Sequence, residues 1–254
     1  MLGKARGADK RGESVFGTPA AVRGASRAIG PWRASALCLC LPVYIKGDPI
    51  VSIILVRHGE TPLNAARVLQ PPDTPLSERG LAQAAAVGRR LAGLGLAGIL
   101  SSDMPRALMT AEAVAAASDR PIRQTQLLHE RNFGDLRGLP YDSLGYDPIA
   151  SEDAPPGGES MEVFRDRVAR AFAEVLAMRA ALDGPLAVVT HGLVIKTLMR
   201  VHLALPDGQP VPEHVANTSI TILDASEPYR VTLLNCARHL EGEARDDGRG
   251  VSGV

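Results

Sequence analysis

The stretch Ile53-Ile54-Leu55-Val56-Arg57-His58-Gly59-Glu60 decides how this chain folds. Four apolar residues, three of them β-branched, stop abruptly at a polar tetrapeptide containing glycine. That is the pattern of a buried strand delivering its last side chains to a sheet edge. In open α/β sheets the carboxyl edge is where ligands bind. Arg57 would supply a fixed cation there and His58 a nitrogen nucleophile, a pairing suited to phosphate chemistry. The same grammar returns at Leu186-Ala187-Val188-Val189-Thr190-His191-Gly192, followed by an apolar helical pattern over 193–205. Either histidine alone reads as a hydrogen-bonded loop residue. Two at equivalent strand ends, one flanked by arginine, read as a shared site.

Working outward, the elements alternate. A strand over 52–57 leads through a polar loop to Ser77, an N-cap for a helix over 78–94 whose connected face is Leu81, Ala84, Ala85, Gly88 and Leu91. A strand over 98–101 runs into a helix over 104–117, and a strand over 121–127 stops at Leu128-His129-Glu130. Residues 131–158 are rich in Gly, Pro and Asp, with one short helical hint at 141–144. Long loops of this kind often carry function. Ser160 opens a long amphipathic helix to about residue 182, and a strand, a helix and two strands (219–223 and 231–234) complete the pattern. Strands separated by helices predict an α/β fold, a three-layer α/β/α sandwich with a mostly parallel central sheet.

A chain of 254 residues buries one good core, so one domain over 51–254 with an appendage over 1–50 is the expected organisation. The formal charge of zero gives no field directed at nucleic acid or membrane. It hides an asymmetry, because residues 1–50 hold eight Lys/Arg and three Asp/Glu while residues 51–254 hold 20 and 25. The basic leader shares the Arg/Ser/Ala-rich, acid-poor composition of organelle transit peptides. An alternative start at Val51 is the preferred account of it, a disordered tail comes next and export last, and none assigns it chemistry. No stretch reaches the roughly 20 apolar residues of a membrane helix. Cys38, Cys40 and Cys236 form neither a disulfide framework nor a zinc motif, which suggests reduced thiols and a cytoplasmic protein. Cys236 reads as a small buried hydrophobe. Nothing in the sequence specifies an oligomeric state.

Further residues fall near the two histidines. Arg106 stands at the start of the helix after the second strand, where backbone N–H groups already favour an anion and a guanidinium adds a bidentate clamp. Glu130, following the third strand, is an ordinary solvated carboxylate in isolation and a candidate proton donor at this edge. Asn64 and Gln70, in the loop after His58, offer amides to a substrate.

The series Arg57-His58-Gly59-Glu60-Thr61 with Asn64, Leu76-Ser77-Glu78-Arg79-Gly80, Ser101-Ser102 with Arg106-Ala107 and Thr110-Ala111, Glu130 with Gly134 and Gly138, Gly157-Gly158-Glu159-Ser160, and Thr190-His191-Gly192 resembles the histidine phosphatase superfamily. Within it, the chain is similar to the phosphoglycerate mutase-like branch that includes small bacterial phosphatases. The motifs occur in family order over about residues 52–240. The resemblance implies a phosphoglycerate mutase-like fold and a phosphohistidine formed on His58. Arg57, Arg106 and His191 would line the phosphate pocket, with Asn64, Gln70 and Gly192 contacting substrate. Glu130 would protonate the leaving oxygen and then activate water. It implies no metal and no other cofactor. Acid phosphatases of the other branch have His-Asp where this chain has His191-Gly192, which leaves Glu130 as the acid.

Both activities of the branch share the phosphohistidine and differ in the acceptor. Mutases carry a long insertion between acid and second histidine, whereas Glu130 and His191 stand 61 positions apart here. The expectation is therefore a phosphomonoesterase acting on a small-molecule phosphate ester. A mutase and a catalytically silent phosphate-binding module are the alternatives. One departure bears on specificity: after Gln70 the related phosphatases often have glycine, and this chain has Pro71-Pro72, which lack an N–H. Phosphoglycerates, sugar phosphates, a ribazole phosphate and protein phosphohistidine all remain compatible with the sequence.

Overall fold

The structure is a computed structural model, and it describes residues 52–240. The leader over 1–50, with Cys38 and Cys40, and the start at Val51 lie outside the described residues.

The first strand, β1 (Ser52–Arg57), is buried along its whole length. It pairs in parallel with β4 (Leu186–Thr190) and antiparallel with β5 (Ile220–Asp224). Beyond β4 lie β2 (Gly98–Ser102) and β3 (Ile122–Thr125), both parallel, and β6 (Val231–Cys236) pairs antiparallel with β5 at the opposite edge. The order β3-β2-β4-β1-β5-β6 makes a six-stranded sheet in which only β5 runs against the rest. Cys236 ends β6 as a buried free thiol.

Five α-helices flank it: α1 (Pro62–Ala65), α2 (Glu78–Ala92), α3 (Pro105–Ser118), α4 (Met161–Ala180) and α5 (Gly192–Val201). Alternate residues of β1 serve different cores. Ile54 and Val56 pack with Val87 and Leu91 of α2 and Ala107, Ala111 and Val114 of α3. Ile53 and Leu55 pack with Phe164, Val168 and Phe172 of α4 and Leu193 and Leu198 of α5. Both faces of the strand are covered, so its sequence is an unbroken apolar run rather than an alternation. Each such side chain, fully buried, contributes roughly 1.5–3 kcal/mol. The result is the expected three-layer sandwich.

Three local expectations need correction. The buried face of α2 is Gly80, Gln83, Ala84, Ala86, Val87, Gly88 and Leu91, whereas Leu81 is 48 % exposed and Ala85 also faces solvent. The reason is close backbone approach: a Cβ on Gly80 would lie 2.0 Å from the carbonyl oxygen of Glu60, and one on Gly88 2.6 Å from that of Ala113. Contacts made by backbone, not by large side chains, set the rotation of this helix. The strand expected over 121–127 ends at Thr125, whose hydroxyl accepts the Leu127 N–H and starts a 3-10 turn, Gln126–Leu128. The last helix stops at Val201 instead of continuing to 205, because the Leu203 N–H turns back to the Leu198 carbonyl.

Candidate active site

Strand order brings the sequence motifs together. With β4 between β1 and β2 and all three parallel, their carboxyl ends share one edge. Arg57 stands in register with Thr190, so His58 and His191, the next residue on each strand, are neighbours. Their ring centroids lie 5.1 Å apart, and the His58 N–H bonds to the Thr190 carbonyl at 2.9 Å. Arg106 is the second residue of α3, directly after β2, and Glu130 follows the turn that ends β3. Arg57, His58, Arg106, Glu130 and His191 are all buried, none more than 7 % exposed.

The His58 imidazole is oriented by its own backbone. Nδ1 lies 2.7 Å from the Gly59 carbonyl oxygen, which accepts and never donates, so Nδ1 carries the proton and Nε2 keeps its lone pair. Burial first, then the guanidiniums of Arg106 and Arg57, hold the ring well below the usual imidazole range, against a smaller upward pull from the Gly59 bond. His58 is therefore a neutral imidazole with a fixed, nucleophilic Nε2 at neutral pH. The loop that carries it is clamped against α2 and α3. The Gly59 N–H bonds to Thr110 Oγ1 at 3.0 Å, and the Glu60 N–H to Gln83 Oε1 at 2.8 Å. Ser77, the α2 N-cap, returns its N–H to the Glu60 carbonyl. Gly59 and Gly80 cross here, a Cβ on Gly59 meeting the Gly80 carbonyl oxygen at 2.6 Å.

Glu130 is gripped at the N-terminus of α5. Its carboxylate accepts the N–H groups of Leu193 (3.0 Å) and Arg131 (3.1 Å). Burial raises its pKa, and the two N–H bonds and the charges of Arg106 and Arg57 pull it back only in part. A carboxyl pushed upward near an imidazole pushed downward is the arrangement that could divide acid and nucleophile between two groups.

Around these two groups stand donors that no other described residue satisfies. His191 Nδ1, Arg106 Nε and Gln70 Nε2 are buried without a hydrogen-bond partner. Among the described residues His191 Nε2 meets Ser102 Oγ, 2.9 Å away. Arg106 is anchored from Nη1 by the Pro71 and Pro72 carbonyls at 3.3 and 3.4 Å, so the prolines that replace the expected glycine contribute acceptors where they cannot contribute donors. Burial lowers Arg106 to about 10, still charged at neutral pH. Gln70 accepts from Thr61 Oγ1 at 2.6 Å, which turns its amide nitrogen outward from that bond. Arg57 donates to the Val215 carbonyl. Asn64 is buried in α1, and Gly192 opens α5, where the first N–H groups have no intrahelical acceptor. Buried cations and donors converging on a nucleophile suit a tetrahedral dianion.

Several contributors carry little sequence signal. Ser102 belongs to the Ser101-Ser102 motif, which gives it no role of its own. Thr110 likewise falls within that series with no role of its own, and Gln83, which also holds the His58 loop, sits on an ordinary helical face outside any motif. The region over 131–158 holds two 3-10 turns, Gly134–Leu136 and Tyr141–Ser143, and is organised by a buried arginine. Arg131 donates to the carbonyls of Glu159, Pro148, Ser151 and Asp153 at 2.8–3.2 Å. Arg167 of α4 binds the carbonyls of Leu127, His129 and Glu130 and pairs with Glu159 at 2.6 Å, fixing the backbone of the acid.

An open α/β sheet that gathers two histidines, two arginines and a carboxyl at one edge has the groups that phosphoryl transfer to a nitrogen nucleophile requires. The chain belongs to the histidine phosphatase superfamily (branch 1), whose family model matches residues 53–236. It is 33 % identical over 214 residues to the probable phosphoglycerate mutase GpmB of Salmonella paratyphi B, covering 78 % of this chain and 99 % of that protein. Among solved structures it is similar to mycobacterial glucosyl-3-phosphoglycerate phosphatase (TM-score 0.60, 29 % identity, 73 % of this chain and 98 % of that one). It is likewise similar to a phosphoglycerate mutase from Bacillus anthracis (TM-score 0.64, 26 % identity, 76 % and 96 %). Among the described residues no helix is long and apolar enough to cross a membrane, and no group of three or more His, Cys, Asp or Glu is placed to hold a metal ion.

Proposed function

We propose that this protein is a metal-independent phosphomonoesterase that hydrolyses small-molecule phosphate esters through a phosphohistidine on His58. Nε2 of His58 attacks phosphorus in line, the ester P–O bond breaks, and the leaving oxygen takes the proton of Glu130. Water then attacks the phosphohistidine, giving its proton to the Glu130 carboxylate as the P–N bond breaks and phosphate departs. Arg57, Arg106 and His191 carry the charge of the transferring group, and Asn64, Gln70 and Gly192 complete its hydrogen bonds. Splitting the displacement in two is covalent catalysis, and the buried cations supply the electrostatic stabilisation on which phosphoryl transfer depends.

The observation that carries this reading is the bond from His58 Nδ1 to the Gly59 carbonyl, which leaves the Nε2 lone pair facing donors that have no partner among the described residues. All these residues fall within 51–254, and the residues before them have no part in the scheme. A cytoplasmic location is part of the reading, supported by the unpaired thiol of Cys236.

A mutase is the second reading, favoured by the names of two relatives. The short, arginine-tied segment between Glu130 and His191 favours water as acceptor. The deciding experiment is a panel of phosphate esters that includes 3-phosphoglycerate, assayed on the full chain with chelator present. Phosphate release that survives chelator and is lost in His58→Ala, with the variant still folded by circular dichroism, supports the phosphatase. Isomerisation of 3-phosphoglycerate without release, stimulated by 2,3-bisphosphoglycerate, would make it a mutase. Substantial turnover by His58→Ala would remove His58 as nucleophile.

A further inference from the structure

Beside the nucleophile, on the side where Glu130 stands, a narrow cleft is lined by Gln70, Met104, Arg106, Glu130, Phe133 and Arg137, with Arg131 behind. The acid must face the ester oxygen it protonates, so this cleft is where the alcohol portion of a substrate lies. Its charges are unequal: three guanidiniums border it against one carboxylate.

Two of the cations are committed. Arg131 spends its guanidinium on four backbone carbonyls. Arg106 is anchored to Pro71 and Pro72 beside His58 and His191, both of which feel its charge. Arg137 differs. It is half-buried, and its guanidinium makes no hydrogen bond or ion pair among the described residues. The acid that influences it most is Glu159, which is itself paired with Arg167 and accepts the Asn132 N–H. A cation that loses hydration without gaining a partner is unfavourable unless a ligand supplies one.

The segment is also held in place. Gly138 N–H bonds to the Leu69 carbonyl at 2.7 Å, and Leu69 N–H to the Leu139 carbonyl at 3.0 Å. Val68 and Pro140 form a further bridge. The chain immediately after Arg137 is thus stitched to the residue before Gln70, so the two cleft walls share one scaffold. A preformed cation loses less on binding than a mobile one.

We propose that the leaving-group side of this site is built for a phosphomonoester whose alcohol carries a second anion, a carboxylate or a second phosphate, and that Arg137 is the residue that recognises it. The proposal rests on the phosphatase reading and narrows it. Neutral alcohols such as simple sugars or a nucleoside-like ribazole would leave Arg137 unpaired in the complex.

The test compares substrates that differ only in the second anion, on the full chain. 3-Phosphoglycerate against glycerol 3-phosphate isolates the carboxylate, and fructose 1,6-bisphosphate against fructose 6-phosphate isolates the phosphate. The wild-type protein should prefer one anionic member by about tenfold or more in kcat/KM, the size of one charge-assisted contact. In Arg137→Met that preference should collapse to within about threefold, with Arg137→Lys restoring part of it. Which pair responds identifies the anion. No preference in the wild-type protein, or equal losses on both members of each pair, overturns the proposal. If no ester is hydrolysed at all, the phosphatase reading fails separately. The same pairs are then read by calorimetric binding, where a preference for the anionic member that Arg137→Met abolishes still upholds Arg137, and its absence sinks it.

Discussion

Ser102 Oγ lies 2.9 Å from Nε2 of His191, and this contact determines which imidazole nitrogen carries the proton. The Met104 N–H donates to the same hydroxyl at 3.3 Å, and the Ser102 hydrogen, when aimed at His191, makes Nε2 the acceptor. The ring is then protonated at Nδ1, the buried atom without a partner. With Ser102 as donor, the two histidines at equivalent strand ends carry their protons at the same ring position by different means. His58 donates Nδ1–H to its neighbour's carbonyl, whereas His191 would accept at Nε2 and hold Nδ1–H for a ligand, the tautomer the next experiment reads.

Ser102→Ala should therefore impair catalysis without touching substrate. Loss of one buried hydrogen bond costs about 1–2 kcal/mol, or roughly 5- to 30-fold in kcat/KM. A merely structural role would not move the tautomer. Nitrogen chemical shifts of His191 should report protonation at Nδ1 in the wild-type protein and a mixture in the variant. Wild-type shifts retained in Ser102→Ala would remove Ser102 from the positioning role.

Glu130→Gln should discriminate between leaving groups. A general acid contributes typically about 10²–10⁴-fold, and only an alcohol of high pKa needs it. Alkyl phosphates should lose that much in kcat, p-nitrophenyl phosphate far less. Equal losses on both would exclude Glu130 as the acid.

The pH profile has a definite shape. His58 must be neutral and sits well below the ordinary imidazole range, so the acid limb of kcat/KM should fall well below pH 6.5. Glu130 must be protonated to act as the acid and is raised above the ordinary carboxylate, so its limb lies on the alkaline side. With an activated aryl ester the alkaline limb should weaken. Stability follows the same signs. Because the folded pKa values of His58 and His191 are depressed, the unfolded chain binds more protons as pH drops below about 6.5, and stability declines in that range. Glu130 acts in the opposite direction, its folded pKa lying above the unfolded one. The stability it contributes at low pH is lost as pH rises through the folded value, so Glu130→Gln should raise Tm at neutral pH while lowering activity.

Gly80→Ala tests the crossing that holds the nucleophile loop. The new methyl carbon would meet the Glu60 carbonyl oxygen at 2.0 Å, a backbone atom that cannot rotate away. A cost of about 1–3 kcal/mol is expected from such overpacking, visible as a lower Tm, together with loss of kcat as His58 shifts. Leu81→Ala, at an exposed neighbouring position, should change Tm little. A larger effect at Leu81 than at Gly80 would contradict the observed rotation of α2.

Much of this was legible beforehand because it is local. The run from Ile53 to Val56 announced a doubly covered strand, and the polar residues after it had to emerge at an edge. That His58 and His191 would be adjacent followed once both strands lay in one parallel sheet. What the chain hid was set by backbone. The rotation of α2 depends on Gly80 and Gly88, which are small, whereas hydrophobic periodicity weighs large residues and so chose Leu81. The 131–158 region looked unstructured because its organising contacts run from Arg131 to carbonyl oxygens, and carbonyls have no sequence signature. Arg137 was invisible for a related reason: its distinction is the partner it lacks.

Arg131 clasps residues 148, 151, 153 and 159 while its own N–H holds Glu130. The chain between 138 and 147 lies outside that clasp, with Leu139 and Tyr146 turned to solvent. That stretch has supports of its own, the Tyr141 N–H on the Arg67 carbonyl and Asp142 paired with Arg67, while Asp147 caps the turn that Arg131 clasps. Substitution at the exposed Tyr146 therefore leaves the hold of Arg131 on Glu130 untouched. One buried guanidinium so separates what the protein must keep from what it is free to change.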